Sequence, residues 1–297
     1  MNNKWVKYEN GNYTVKFNLE NGTKIRETED NEFISAFPEC IDLKITNQCD
    51  MGCKYCHEDS TIDGLHGDVL NSEFINTLKP YTELALGGGN VLTHPNLIEF
   101  LKVLKSKNII ANITINQKHF ISSKDTIKYI VDNDLIKGLG VSLISPTDEF
   151  VELIKQYPNA VIHVINGIVP IEDLQKLYDN NLKLLILGYK VFRRGKDYYS
   201  PVVESNKQII YDSICDIIKG FKVVSFDNLA IKQIDVRRIF TNKGWNEFYM
   251  GDDGQFTMYI DLVKKHFARS SVSVQRYDIL NNIEDMFSIV KNEKSDK

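Results

Sequence analysis

Three cysteines, Cys49, Cys53 and Cys56, crowd into the segment KITNQCDMGCKYCHED with the spacing C-x3-C-x2-C, directly after the apolar run IDLKIT (41–46). Thiolate sulfur is the usual ligand of iron in iron–sulfur clusters, and three such thiolates can hold three irons of a 4Fe–4S cluster. The fourth iron then lacks a ligand from this loop. An open metal position marks a catalytic site rather than a sealed structural one, a rule stated for zinc that carries over by analogy. Zinc is the alternative occupant. It normally takes four ligands, and the nearby candidate, His57, adjoins Cys56, so the two would strain to reach one ion. The remaining cysteines stand apart. Cys215 lies among Ile214, Ile217 and Ile218 and reads as a buried core thiol. Cys40 precedes the first strand, at the end opposite the cysteine loop, and reads as structural. Too few cysteines remain for a second cluster.

The rest of the composition limits what such a loop can serve. The chain has 297 residues, with 36 Lys+Arg against 40 Asp+Glu, for a net charge of −4. That balance lacks the basic surplus that binding phosphates demands, which argues against nucleic acid as a partner. A hydrophobic share of 42% with 26% charged residues suits a globular protein and not a disordered one. No stretch approaches the roughly 18 consecutive apolar residues of a membrane span. The first residues, MNNKWVKYENGNYTVK, lack the apolar region of a secretory signal. The expectation is a cytoplasmic protein with reduced thiols and no membrane partner.

The elements that must position the loop read as repeated β–α units. Strands are expected at 41–46, 83–88, 110–116, 138–144, 160–167, 182–189 and 221–226. Most are near-continuous apolar runs, the pattern of strands buried on both faces. Amphipathic stretches lie between them. Leu97, Ile98, Leu101 and Leu104 mark one helix face, Ser123 caps another helix, and Pro146 and Glu149 open a third. IEDLQKLYDNN and ESNKQIIYDSICDIIKG follow, the latter ending in Gly220. Repeating β–α units imply parallel strands with right-handed crossovers. The fold class is therefore α/β, a partial (β/α)6-type TIM barrel. Before it, Tyr13, Val15, Phe17 and Leu19 alternate, then Asn21-Gly22 turns into Lys24 to Thr28, an N-terminal β-hairpin. After it, two strands around a Lys264-Lys265 turn and the helix NNIEDMFSIVK form a small hairpin-plus-helix extension, with NEKSDK as a solvated tail. The expected divisions are 1–38, 39–230 and 231–297. No internal repeat or low-complexity segment is present.

With the cysteine loop placed after the first strand of a βα series, the chain resembles the radical S-adenosylmethionine (radical SAM) superfamily. The hallmark of that family, C-x3-C-x-aromatic-C, is met by Cys49, Cys53, Tyr55 and Cys56, and the resemblance covers roughly residues 40–230. It implies a 4Fe–4S cluster whose free iron binds the amino and carboxylate groups of S-adenosylmethionine. Reductive cleavage would then give a 5′-deoxyadenosyl radical that abstracts a hydrogen atom from the substrate. Tyr55 would lie beside the adenine. The family's Gly-Gly-Glu stretch, which receives the methionine amino group, aligns with Gly88, Gly89 and Asn90. Asn90 replaces Glu and loses charge assistance. Looser matches at strand ends are Asn116, Ser142 and Tyr189, with Thr114, His163, Asn166 and Gly188 nearby. Lys190, Arg193 and Arg194 follow the sixth strand and could hold an anionic substrate group or the S-adenosylmethionine carboxylate. His57, Glu58 and Asp59 could support the cluster loop.

GDDGQFTMYIDLVKKHFARSS faintly resembles the auxiliary-cluster extension of peptide-modifying members, without its cysteines. Together with the N-terminal strand edge, this favours a peptide or protein substrate, with a reductant such as a flavodoxin or ferredoxin as electron donor. Two other expectations stand beside it: an activase that installs a glycyl radical on a partner enzyme, and a non-catalytic iron–sulfur sensor or electron-transfer protein.

Overall fold

The computed structural model describes residues 4–293, so the last four residues of the expected tail lie outside the described residues. The first element is a three-stranded antiparallel sheet, β1 (Trp5–Asn10), β2 (Tyr13–Asn18) and β3 (Lys24–Glu27), in the order β1-β2-β3. The expected hairpin is β2–β3, and β1 is an addition to it. The signal for β1 is the tight turn at Gly11, whose φ is +66° and where a Cβ would lie 1.7 Å from the Ile34 carbonyl oxygen.

The main sheet has ten strands. Seven follow the expected series: β4 (Cys40–Thr46), β5 (Glu83–Gly88), β6 (Ile110–Asn116), β7 (Gly138–Ser142), β8 (Ala160–Ile165), β9 (Lys183–Leu187) and β10 (Val223–Phe226). Three more complete it: β11 (Thr257–Asp261), β12 (His266–Ala268) and β13 (Tyr277–Asp278). The order is β10-β9-β8-β7-β6-β5-β4-β11-β12-β13, and the sheet is not closed. All pairs from β10 to β11 are parallel. The C-terminal hairpin β11–β12 thus turns at Lys265, as expected, but its first strand also pairs with β4.

The strands are not buried on both faces. Along β6, Ile113 and Ile115 are buried while Asn112, Thr114 and Asn116 are half-buried, and along β8 the buried Ile162 and Val164 alternate with Val161, His163 and Ile165. The apolar face packs in one continuous core, with Phe100 and Leu104 of the helix Leu97–Ser106 and Ile210, Ile214 and Ile217 of the helix Pro201–Gly220. The other face lines a lumen. A closed barrel fills that space with side chains. Here it holds two cavities, of about 300 and 680 Å³, that share Ala85, Thr114 and His163.

Three local expectations are corrected. Cys215 is exposed, because the buried stripe of its helix runs through Val203, Ile210, Ile214 and Ile217 and leaves position 215 on the outer side. Pro146 lies before the helix Asp148–Ile154. Thr147 caps that helix, its Oγ1 accepting from the Phe150 N–H at 3.3 Å. Ser123 precedes the helix Lys124–Asp132, but its hydroxyl makes no capping bond.

A buried ion cluster fastens the small sheet to the lower ends of the strands. Glu39, 1% exposed, accepts from Arg26 Nε at 2.7 Å and Nη2 at 3.1 Å and from the Tyr13 hydroxyl at 2.7 Å. Lys24 bridges Glu39 at 3.6 Å and Glu83 at 2.6 Å. Burial pushes the Glu39 carboxyl up, but Arg26 and Lys24 outweigh it and hold it below its ordinary value. Its stabilising effect is therefore complete above the unfolded-state pKa and is lost as pH falls through the depressed one. Glu39→Ala strips the buried Arg26 of its carboxylate and leaves Lys24 with Glu83 alone, so a loss of about 3 kcal/mol is expected, read as a lower urea midpoint at neutral pH. A midpoint unchanged from the parent protein would refute this role.

Candidate functional site

The upper cavity opens at the C-terminal ends of the parallel strands, where barrel enzymes place their chemistry. Cys49, Cys53, Cys56 and Tyr55 line it, with Gly88 and Gly89 from the end of β5, Asn116 from β6 and Ser142 from β7. Two residues expected at the site lie off the lining. Asn90, 7% exposed, caps the short helix Val91–Thr93, its Oδ1 accepting from the Leu92 N–H at 3.2 Å. Tyr189, 2% exposed, donates its hydroxyl to the Gly195 carbonyl at 2.7 Å. Asn116 lines the cavity while its Oδ1 accepts from the Lys118 N–H at 2.9 Å, capping the helix Gln117–Ser122. Gly188 donates its N–H to Asp227 and Asn166 donates to Gln233, so both serve the framework.

The cysteine loop is held on every side. The Cys49 N–H donates to the Thr61 carbonyl at 2.7 Å, and the Cys56 N–H to that of Cys53 at 3.2 Å. Asp50 lies 2.6 Å from His119 Nε2 on the helix behind. Beneath the loop, the Gly89 N–H donates to the Thr46 carbonyl, and the Asn90 N–H to that of Gln48. A Cβ on Gly89 would stand 2.1 Å from the Gln48 carbonyl oxygen, and Gly88 has φ +110°. These glycines are where two backbones come together. From above, Arg194 donates to the Cys53 carbonyl at 3.1 Å and pairs with Asp59 at 2.9 Å, and Arg193 donates to the Glu58 carbonyl at 2.9 Å. The basic loop after β9 therefore clasps the cysteine loop after β4.

Next to the thiols lies a charge network of which sequence reading singled out only His57 and Glu58. Lys44, 1% exposed on β4, sits 2.7 Å from Glu58 Oε2, within ion-pair range but off the axis of a hydrogen bond, and 3.5 Å from Asp261 on β11. The Tyr259 hydroxyl donates to Glu58 at 3.4 Å, and His57 Nε2 lies 3.3 Å from Glu58 Oε1. Burial alone would raise the Glu58 carboxyl, but His57 and Lys44 overturn that and hold it far below its usual range. Tyr259 and Ser271 bring the C-terminal segment into the cavity wall. A lysine inside an apolar strand, Lys44, was the available hint, since such a charge needs a buried partner.

The three thiols are the residues that could hold a metal group. Burial pushes Cys49 and Cys53 above their ordinary pKa, and Cys56 adds to both, so the sulfurs feel one another. Among the described residues, no three His, Cys, Asp or Glu side chains converge on a single ion. A cubane asks for something different, one thiolate on each of several irons. The all-sulfur donor set suits iron–sulfur chemistry by type, and loading must release the thiol protons.

No protein-family model matches the chain, and no curated protein matches it in sequence. Solved structures do. SuiB of Streptococcus suis bound to precursor peptide SuiA is similar with a TM-score of 0.67 at 11% identity, over 99% of this chain and 90% of that one. SuiB bound to S-adenosylmethionine gives 0.66 at 11%, over 100% and 91%. SuiB alone gives 0.63 at 12%, over 99% and 88%. At that identity the likeness is one of fold.

If the clasp orders the cysteine loop, Arg194→Ala should speed amide exchange across residues 53–60 in metal-free protein by roughly tenfold, the scale of one lost charge-assisted bond. Unchanged exchange there would show the loop to be ordered without it.

Proposed function

We propose that the protein is a radical S-adenosylmethionine enzyme acting on a peptide or protein side chain. Its 4Fe–4S cluster would be held by Cys49, Cys53 and Cys56. The observation that carries the reading is the meeting, in one cavity at the strand ends, of these three thiols with Gly88, Gly89, Asn116 and Ser142. The fold shared with SuiB, which binds S-adenosylmethionine and a precursor peptide, supports both cofactor and substrate class. When bound, such a cluster supplies the electron that cleaves S-adenosylmethionine to methionine and a 5′-deoxyadenosyl radical, and the protein contributes position and shelter.

Each residue then has a task. The Gly88-Gly89 backbone leaves room for the methionine amino group. With Asn90 serving as a helix cap, that group would rely on backbone carbonyls rather than on a carboxylate. Ser142, ending β7, offers a hydroxyl to the ribose or the methionine carboxylate. Tyr55, whose ring lies 5.7 Å from that of Tyr198, offers an aromatic wall for adenine. Tyr189 would act through the loop it braces. The divisions 1–38, 39–230 and 231–297 would correspond to peptide recognition, radical generation and closure of the substrate side. A reductant of the flavodoxin or ferredoxin type would deliver the electron. No helix among the described residues is long and apolar enough to cross a membrane.

Anaerobically reconstituted protein given dithionite and S-adenosylmethionine should release 5′-deoxyadenosine, detected by chromatography. Cys53→Ala should remove both the cluster absorbance and the product. Cluster-loaded protein that releases none would be a sensor or an electron carrier instead.

A further inference from the structure

The basic stretch after β9 divides its labour. Arg193 and Arg194 are occupied by the carbonyls and carboxylates of the cysteine loop. Lys190 is not. Its side chain lines the upper cavity, donates to Ser271 Oγ at 2.8 Å and lies 3.2 Å from His57 Nε2. Among the described residues no carboxylate oxygen comes within 4.0 Å of it. An ammonium carries three N–H donors, so one remains free. The other lysine of the lining, Lys44, already has Glu58 at 2.7 Å. The two acids that feel its charge, Asp42 on β4 and Asp227 after β10, both stand beyond ion-pair distance of it. A half-buried cation with a free donor and no carboxylate in contact favours a ligand that brings one.

We propose that Lys190 anchors an Asp or Glu carboxylate of the peptide substrate, which makes the preferred substrate acidic. The inference rests on the peptide reading above. Position separates this carboxylate from that of S-adenosylmethionine. Gly88, Asn116 and Ser142 end three consecutive strands, β5, β6 and β7, in the middle of the sheet. Lys190 follows β9 and meets Ser271, beyond β12, where the two flanks of the curled sheet approach each other. The C-terminal segment thus helps to form a subsite away from those strands.

The test is selection from a displayed library of random octapeptides, about eight residues long, so that one side chain can reach the cavity. The bait is immobilised, cluster-loaded protein with S-adenosylmethionine present. Captured peptides should be enriched in Asp or Glu at one position by roughly tenfold, the size of a charge-assisted contact. Lys190→Gln should erase the preference and Lys190→Glu should turn it toward Lys or Arg. Lys196→Glu, an exposed change on the same loop, should leave it intact, which a general effect of surface charge would not. Captured peptides without an acidic preference, or a preference indifferent to Lys190→Gln, overturn the proposal. So does a preference seen only without S-adenosylmethionine, which would assign Lys190 to the cofactor's own carboxylate. Capture of no peptide while 5′-deoxyadenosine is still released would instead overturn the peptide reading beneath it.

Discussion

The structure depends on one asymmetry of its parallel strands: large apolar side chains face the helices, and a mixture of small, polar and apolar ones faces the lumen. Ile113, Ile162 and Ile186 lie in the core, while Asn112, Thr114 and His163 line the interior space. Hydrophobic burial therefore drives one face of the sheet onto its helical coat and does nothing to collapse the other. The polar groups within that interior have to stay wet or meet a ligand. Burial pushes the His163 imidazole down to about 4, so it is neutral where the two cavities join, and it lies over Gly140, where a Cβ would come within 2.3 Å of its Cε1. The space is kept open by small residues as much as by polar ones.

Onto that framework the protein places its charges in pairs with distinct tasks. Glu39 with Arg26 and Lys24 joins the small sheet to the lower strand ends, and Glu58 with Lys44 joins the cysteine loop to β4. Buried pairs of this kind add little net stability over apolar packing, but losing one partner is costly. Their effect is to fix geometry. The arginine clasp works from the exposed side, through loop carbonyl groups and the carboxylates of Asp59 and Glu58, so the Arg193 and Arg194 forks and the acidic side chains of the loop share its specificity.

Much of this was legible in the sequence. Seven strands fall where the apolar runs predict, and the cysteine loop follows the first of them. The face each strand presents was harder to read. At Ala85 and Gly87 of LALGGG and at Leu185 and Leu187 of LKLLIL the lumen positions are themselves small or apolar, so alternation is masked and the runs resemble strands covered on both sides. The capping bond of Asn90 was hidden for a similar reason, because a motif alignment cannot tell a side chain that meets a ligand from one that caps the next turn. Glu58, Tyr259 and Ser271 come from two distant parts of the chain, and only the pairing of β4 with β11 brings them together. Cys215 fell on the wrong face because neighbouring isoleucines surround it in sequence but not in space.

That same pairing constrains the order of synthesis. β4 is an interior strand, yet one of its neighbours, β11, is made only after six further strands of the sheet. Until β11 emerges from the ribosome, one edge of β4 is bare and Lys44 lacks Asp261, directly below the thiols. Domains acquire their contacts as the chain appears, and unpaired edges are where nascent chains go astray. Maturation of the cysteine loop is thereby tied to the arrival of a strand far along the chain, and a ribosome stalled before β11 would leave its thiols on an unfinished wall.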